Sequence, residues 1–317
     1  MNAPLRLPHT QPPGRLKPRP GRFAATIRTD SPRGCAIALL GLPDDTGVKL
    51  NHGQAGAAKG PNAFREALAS FGTAWDGLRC RPLNVQVFDA GDIQPVRGGT
   101  EAALMETHAR IERAVHEIHQ LGLMPVCVGG GHDLTLPSIN ALARHAGKRV
   151  GGISLDAHLD VRPEAGSGMA FRHLIETKRL DPRRFAVVGV GRFVNEPDHL
   201  QWLTNQGARL VFADSVLVSG LPLKRLMADL AKANSAFVSI DLDVIDSASA
   251  PGVSALNPLG LSAPDAASLA EAAGAAPHVR HFDLMELNPA QDASGRTARL
   301  AALLFLSFLT GFGRRRA

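Results

Sequence analysis

The stretch VGGISLDAHLDVRPEAGSGMAF, residues 150–171, decides how the chain is read. It opens with a short apolar run, Val150 to Leu155, with no polar face, as expected of a strand covered on both sides in a parallel sheet. Directly beyond that run come Asp156, His158 and Asp160, at every second residue. A period of two puts alternate side chains on one face of an extended chain, so the three converge as the strand runs out. A buried strand that opens into two carboxylates and an imidazole is delivering ligands to a site.

The same pattern repeats outward. Runs at 35–42, 85–91, 123–130, 185–191, 209–213, 236–243 and 279–286 read as further buried strands. Helical patterns fill 61–71, 101–121, 134–147, 196–205, 221–234, 264–275 and 296–312, and Ser262 ahead of Pro264 and Asp265 marks a helix start. Strands alternating with helices predict one doubly wound α/β domain over 35–313, with no internal repeat and no linker. Four of the strand ends carry chemistry: GGGHD (129–133), DAHLD (156–160), IDLD (240–243) and MELNP (285–289). Ligands of open parallel sheets bind in the crevice beyond the carboxyl ends of the strands, so the four segments predict one site.

Composition narrows the class. A chain of 317 residues, 44% of them hydrophobic, can bury a sizeable core. Its net charge of +6 comes from the ends. Residues 1–33 hold Arg6, Arg15, Lys17, Arg19, Arg22, Arg28 and Arg33 against Asp30 alone, while the rest balances 28 basic against 28 acidic side chains. Charge confined to termini predicts solvated tails and no nucleic-acid partner. Residues 1–34, rich in Pro and Arg with no apolar h-region, are expected to be a disordered basic leader and not a secretory signal. No run of eighteen apolar residues occurs, so no membrane partner is expected. Cys35, Cys80 and Cys127 are isolated thiols, which predicts a reducing compartment, the cytoplasm.

Gathered into one crevice, Asp156, Asp160, Asp241 and Asp243 would raise each other's pKa by repulsion, which two divalent cations would relieve. His132 and His158 add two imidazoles, and Gly129, Gly130 and Gly131 allow a close backbone approach ahead of His132. Oxygen-rich ligands with some imidazole suit Mn²⁺ better than a closed zinc site. A metal pair can generate hydroxide at neutral pH.

The segments GGGHD (129–133), SLDAHLDVRP (154–163), SIDLDVIDSASAPGVSALNP (239–258) and MELNP (285–289) resemble the arginase/agmatinase superfamily of ureohydrolases, over a span from Gly41 to Leu300. The resemblance implies a three-layer α/β/α fold around a central, mostly parallel eight-stranded sheet. It also implies two Mn²⁺ per chain, hydrolysis of a C–N bond in a small linear amidine or guanidine, and a homo-oligomer, trimer or hexamer. By the same resemblance one Mn²⁺ takes His132, Asp156, Asp160 and Asp241, and the other takes His158, Asp156, Asp241 and Asp243. Glu286 matches the family glutamate that pairs with the substrate's amidinium, a task suited to a carboxylate able to make charge-assisted hydrogen bonds.

Arginases and agmatinases carry a histidine in the loop after DAHxD, where this chain has Ser167. The sequence Ser167-Gly168-Met169-Ala170-Phe171-Arg172 resembles the formimidoylglutamase branch, as does DDTGVKLNHGQAGAAKGPNAFR (44–65). Thr46, Gln54 and the pair Met169-Ala170 depart from that branch, which has Glu, Arg and Thr-Pro there. The implied substrate, N-formimidoyl-L-glutamate, carries two carboxylates beside its amidine. Its candidate donors are Arg172, Arg192, Asn195, Asn51 and Ser167, and His173 is a candidate proton carrier. The implied reaction uses Asp160, His158 and Glu286: activated water attacks the formimidoyl carbon and Asp160 passes a proton to the leaving amine, giving glutamate and formamide. Rival expectations are a ureohydrolase releasing urea from a guanidino acid or agmatine-like amine, a metal-binding protein without turnover, and a zinc deacetylase. For the deacetylase His132 and Asp243 are surplus.

Overall fold

The structure, a computed structural model, describes residues 6–14, 18–72, 75–77 and 80–315. In chain order the strands are β1 (Thr10–Gln11), β2 (Ile37–Leu42), a separate ribbon of β3 (Trp75–Asp76) and β4 (Arg81–Pro82), then β5 (Val87–Ile93) and β6 (Met124–Gly129). They continue with β7 (Val150–Leu155), β8 (Leu180–Val190), β9 (Arg209–Phe212), β10 (Ala236–Asp241) and β11 (Val279–Met285). The helices are α1 (Thr46–Leu50), α2 (Gly60–Ala69), α3 (Glu101–Gln120), α4 (Thr135–Ala146) and α5 (Ala170–Glu176). After them come α6 (Pro197–Gln206), α7 (Ala213–Ser219), α8 (Leu223–Leu230), α9 (Ala263–Ala275) and α10 (Arg296–Phe312).

The main sheet runs in the order β1-β5-β2-β6-β11-β10-β7-β8-β9. Every neighbouring pair is parallel except β1 against β5. All eight strands expected from the sequence are in it, and their side chains are buried on both faces, most completely in β2, β6, β7 and β10. One face carries a core from α2, α8, α9 and α10, with Phe64, Leu226, Leu269 and Phe305 at its centre. The other face is covered by α3, α4 and α5, with Ile111, Ile139 and Phe171. The result is the expected three-layer α/β/α arrangement. The expected cap also forms: the Ser262 side chain accepts from the Asp265 N–H at the start of α9.

The expected count of eight strands is corrected to nine, and the ninth comes from the segment expected to be disordered. Thr10 and Gln11 pair antiparallel with Ile93 and Asp92, covering the exposed edge of β5. Leu7 is buried with Ala38, Phe88 and Ile111, and the ring of Phe23 packs edge-on against Phe305. A strand of two residues has no period to read, and the surrounding Pro and Arg residues carry the pattern of a solvated segment. Residues 1–5 and 15–17 of the leader, with Arg15 and Lys17, and Arg316 at the other terminus lie outside the described residues. The short helices α1 and α7 also escaped the sequence patterns, being five and seven residues long. Among the described residues no helix is long and apolar enough to cross a membrane.

Register places the site. β6, β11, β10 and β7 are adjacent at the centre of the sheet, with Val128 beside Leu284, Met285 beside Asp241, and Ile240 beside Leu155. Their carboxyl ends therefore finish in line, and strands about 4.8 Å apart bring the residues that follow within reach of one another.

One buried ion cluster holds α2 to the sheet. Arg65, 1% exposed, donates from Nε and Nη2 to Asp89 at 2.8 Å each and from Nη1 to Asp92 at 2.6 Å. Removing the guanidinium leaves two carboxylates without their cation. Arg65→Met is expected to lower unfolding stability by about 3–5 kcal/mol, read from the midpoint of urea denaturation. A variant within about 1 kcal/mol of wild type would contradict this.

Candidate metal centre

His132 stands in a single 3-10 turn (residues 132–134) just past β6. The approach is tight: a Cβ on Gly130 would lie 1.6 Å from the Asp44 carbonyl oxygen, so only glycine fits. Asp156 follows the last residue of β7, Asp241 ends β10, and Glu286 follows β11. Nδ1 of His132 faces three carboxylates, Asp160 Oδ2 at 2.8 Å, Asp156 Oδ2 at 3.0 Å and Asp241 Oδ2 at 3.3 Å. Nδ1 of His158 lies 3.2 Å from Asp243 Oδ2 and 3.6 Å from Asp156 Oδ1. His132, Asp156, Asp160 and Asp241 thus form one group whose ligand atoms lie within 4.8 Å of one another, and Asp156, His158 and Asp243 form a second. Asp156 offers one oxygen to each, the arrangement of a binuclear metal centre. Asp241, expected in both ligand sets, falls in the first group.

The hydrogen bonds around His132 fix what its Nδ1 can do. On β10 and β11, Ser239 and Asp283 are register partners, and the Ser239 hydroxyl donates to Asp283 Oδ1. A hydroxyl has one proton, so Ser239 Oγ can only accept from His132 Nε2, 2.9 Å away. Nε2 therefore carries the proton, and Nδ1 points its lone pair into three carboxylates. It can satisfy them only by holding a cation there, either a proton or a metal ion. Nδ1 of His132, Asp156 Oδ2 and Asp243 Oδ1 are buried without hydrogen-bond partners, as metal ligands lacking their ion would be.

Glu286 completes the floor of the site. Its Oε1 accepts from the His132 backbone N–H at 3.0 Å, while Oε2 is buried without a partner. Glu286 (φ 63°) and Asp160 (φ 50°) both adopt the left-handed conformation, which is costly for residues with a Cβ. A cavity of about 180 Å³ opens above them, lined by His132, His158, Asp160, Asp241, Asp243 and Glu286, with Asn51, Ser167 and Asn195 around the wall.

Of the expected substrate donors, the structure brings three to this cavity and leaves two outside. Arg172 pairs with Glu176 at 2.9 Å and lies over the Trp202 ring, and Arg192 pairs with Asp214 at 3.0 Å beside Phe193. Neither lines the cavity, and neither does His173. Asn195 does, but its amide is spent: Oδ1 accepts from the Leu159 N–H, and Nδ2 donates to the Ala157 and Gly191 carbonyls. It braces the DAHLD turn. Asn51, with its amide oxygen turned to the loop, accepts from the Ser167 and Gly168 N–H groups and so holds that loop in place.

The departures from the formimidoylglutamase pattern also lie off the cavity. Met169 and Ala170 are buried in the core beneath the loop, and exposed Gln54 is not among the lining residues. The sequence pattern does not single out three further lining residues: exposed Arg162, which has no ion pair among the described residues, His199 and Ser254. Arg162 sits inside DAHLDVRP, two residues past Asp160 and so on the same alternation, which was its one signal.

Residues 35–311 match the Arginase family. The chain belongs to that family. Among curated arginase-family relatives, it is 33% identical to the formimidoylglutamase of Ralstonia nicotianae over 293 residues, covering 89% of this chain and 86% of that one. The Trypanosoma cruzi formiminoglutamase, solved with Mn²⁺, superposes with a TM-score of 0.85 at 31% identity, over 93% of this chain and 99% of that one. The proclavaminate amidino hydrolase of Streptomyces clavuligerus superposes at 0.82 with 26% identity, over 94% and 98% of the two chains.

Charge in this arginase-family site is strained without a cation. Burial, and then repulsion from Asp241, pushes Asp243 up to about 8, while burial and Asp156 push Asp160 up to about 6. Burial followed by Asp241 and Asp243 holds Glu286 well above the usual carboxylate range. Asp243 in turn drives His158 up to about 12. Each such group binds its proton more tightly than an exposed one would, and a metal ion must displace those protons. Mn²⁺ affinity is therefore expected to rise with pH as Asp160 and then Asp243 ionise, between about 6 and 8, with proton release on binding. Calorimetric titration in buffers of different ionisation enthalpy measures this, and an affinity flat across that window would contradict it.

Proposed function

We propose that the protein hydrolyses N-formimidoyl-L-glutamate to L-glutamate and formamide with two Mn²⁺ per chain. The observation that carries this is the polarity of the cavity: it is lined both by buried Glu286, with an unpartnered carboxylate oxygen, and by exposed Arg162, which has no ion pair among the described residues. That polarity matches a substrate with an amidinium at one end and carboxylates at the other. It disfavours agmatine-like amines, which are cationic at both ends. Relatives named formimidoylglutamase, similar along most of the chain, support the same reading.

Six side chains, His132, Asp156, Asp160, Asp241, His158 and Asp243, are the ligands of the metal pair, and this donor set suits Mn²⁺. When bound, the cations supply a nucleophilic hydroxide at neutral pH. Glu286 Oε2 accepts the amidinium N–H groups and orients the formimidoyl carbon. Arg162 holds the carboxylates, and Asp160 carries a proton to the amine of glutamate as the C–N bond breaks. Asn51 and Asn195 hold the two loops that frame the cavity. With Ser167 where other branches have histidine, that loop offers no imidazole.

A guanidino acid shares the same polarity, and the likeness to an amidino hydrolase keeps that second reading in view. Product analysis after Mn²⁺ loading separates them: formamide from formimidoylglutamate is expected, and urea from guanidino acids without formamide would replace the first reading with the second. Arg162→Met is expected to raise KM for formimidoylglutamate about 10- to 100-fold with little change in kcat, the size of a lost charge-assisted hydrogen bond. An unchanged KM would remove Arg162 from the site.

A further inference from the structure

Behind His132 the hydrogen bonds continue to a residue that touches neither ligand nor cavity. His281 lies on β11 two residues before Asp283, and so on the same face of the strand. It is 0% exposed, and its Nε2 lies 2.9 Å from Asp283 Oδ2. Thr135 Oγ1 donates to the same oxygen at 3.1 Å, and the Ser239 hydroxyl donates to the other. Asp283 is itself 0% exposed, with no cationic Arg or Lys against it among the described residues, so donors alone support its charge. A carboxylate has no proton to give, so His281 is the donor.

We propose that His281 is a positioning residue for the metal centre. By donating to Asp283 it keeps that carboxylate an acceptor. Ser239 must then spend its proton on Asp283 and accept from His132, which places the His132 proton on Nε2 and leaves Nδ1 for the metal. Without His281, Asp283 can take up a proton from solvent, and its hydrogen bond with Ser239 can then reverse, with the protonated Asp283 as donor. Ser239 then donates to Nε2 of His132, the ring proton moves to Nδ1, and a metal ion is held less tightly by the nitrogen that faces Asp156, Asp160 and Asp241, because it must first displace that proton. His281 thus selects the tautomer of a ligand it does not touch, through two intervening side chains. Outer partners of ligating histidines act on metal affinity in this manner.

The inference rests on the two-metal reading, and one experiment tests both. Purified wild type, His281→Leu, His281→Asn and Asp283→Asn are stripped with chelator and titrated with Mn²⁺. Stoichiometry comes from calorimetry, and the spin-coupled signal of the metal pair from electron paramagnetic resonance. Wild type is expected to bind two Mn²⁺. His281→Leu and Asp283→Asn are expected to bind one with wild-type affinity and the other about 10- to 100-fold more weakly, with the coupled signal lost at low Mn²⁺. His281→Asn, which keeps an N–H donor, is expected to recover part of that affinity. Should His281→Leu fail to fold, as judged by near-ultraviolet circular dichroism, Asp283→Asn decides the matter. Two unweakened Mn²⁺ in the folded variants would overturn the role of His281 alone. A wild type that binds fewer than two would overturn the two-metal reading itself.

Discussion

Nδ1 of His132 faces three carboxylate oxygens within 3.3 Å, while its Nε2 proton is already committed to Ser239. That arrangement can exist in a folded protein only if a cation sits among those four atoms. In the metal-free chain protons fill the role, held by His132 and His158 against the pull of Asp156, Asp160, Asp241 and Asp243. A metal pair fills it better, because each divalent ion satisfies several oxygens at once and needs no hydrogen-bond direction. Buried like charges without such ions would cost far more than a domain's net stability supplies.

The fold is the means of imposing that convergence. Four parallel strands at the centre of a sheet end at one level, so residues distant in sequence arrive together on the strand ends and the short turns just past them. A parallel sheet also buries both faces of each strand, which keeps water from dispersing the charge. The layers of helices lie above and below, leaving the carboxyl edge open as the entrance. Arg65 performs the analogous service on β5, two strands from β6, where Asp89 and Asp92 are neutralised by a covalently attached cation instead of a dissolved one.

How much of this was legible in the sequence depended on period. The eight longer strands and the ligands at their ends show themselves because apolar runs end in alternating Asp and His, as in SLDAHLD. The ninth strand did not, since Thr10 and Gln11 are two residues whose role is set by the open edge of β5. The cluster of His and Asp at the strand ends was likewise readable, but which cationic side chains line the cavity was not. Arg172 and Arg192 look alike to Arg162 in sequence, and only the packing shows that the first two are engaged by Glu176 and Asp214. Asn195 lines the cavity as expected, but the hydrogen bonds that engage its amide with Leu159 and Ala157 cannot be read from spacing. Ser239 and Asp283 were visible as alternation in SIDLD and HFDLM, yet as outer partners they carry no metal-binding signature of their own.

The left-handed backbone at Asp160 and Glu286 bears on how this protein could be improved. Each of these residues sits in a conformation that glycine, and to a lesser degree asparagine, adopts more easily, and each carries a charge that burial disfavours. A library selected for heat resistance alone would be drawn to these two positions first, since replacing either relieves backbone strain and charge repulsion together. Robustness and chemistry are therefore opposed at the centre of the molecule. Any programme of stabilisation has to hold residues 160 and 286 fixed and look to the periphery, where the arm ahead of β2 and the short outer helices leave room for gain.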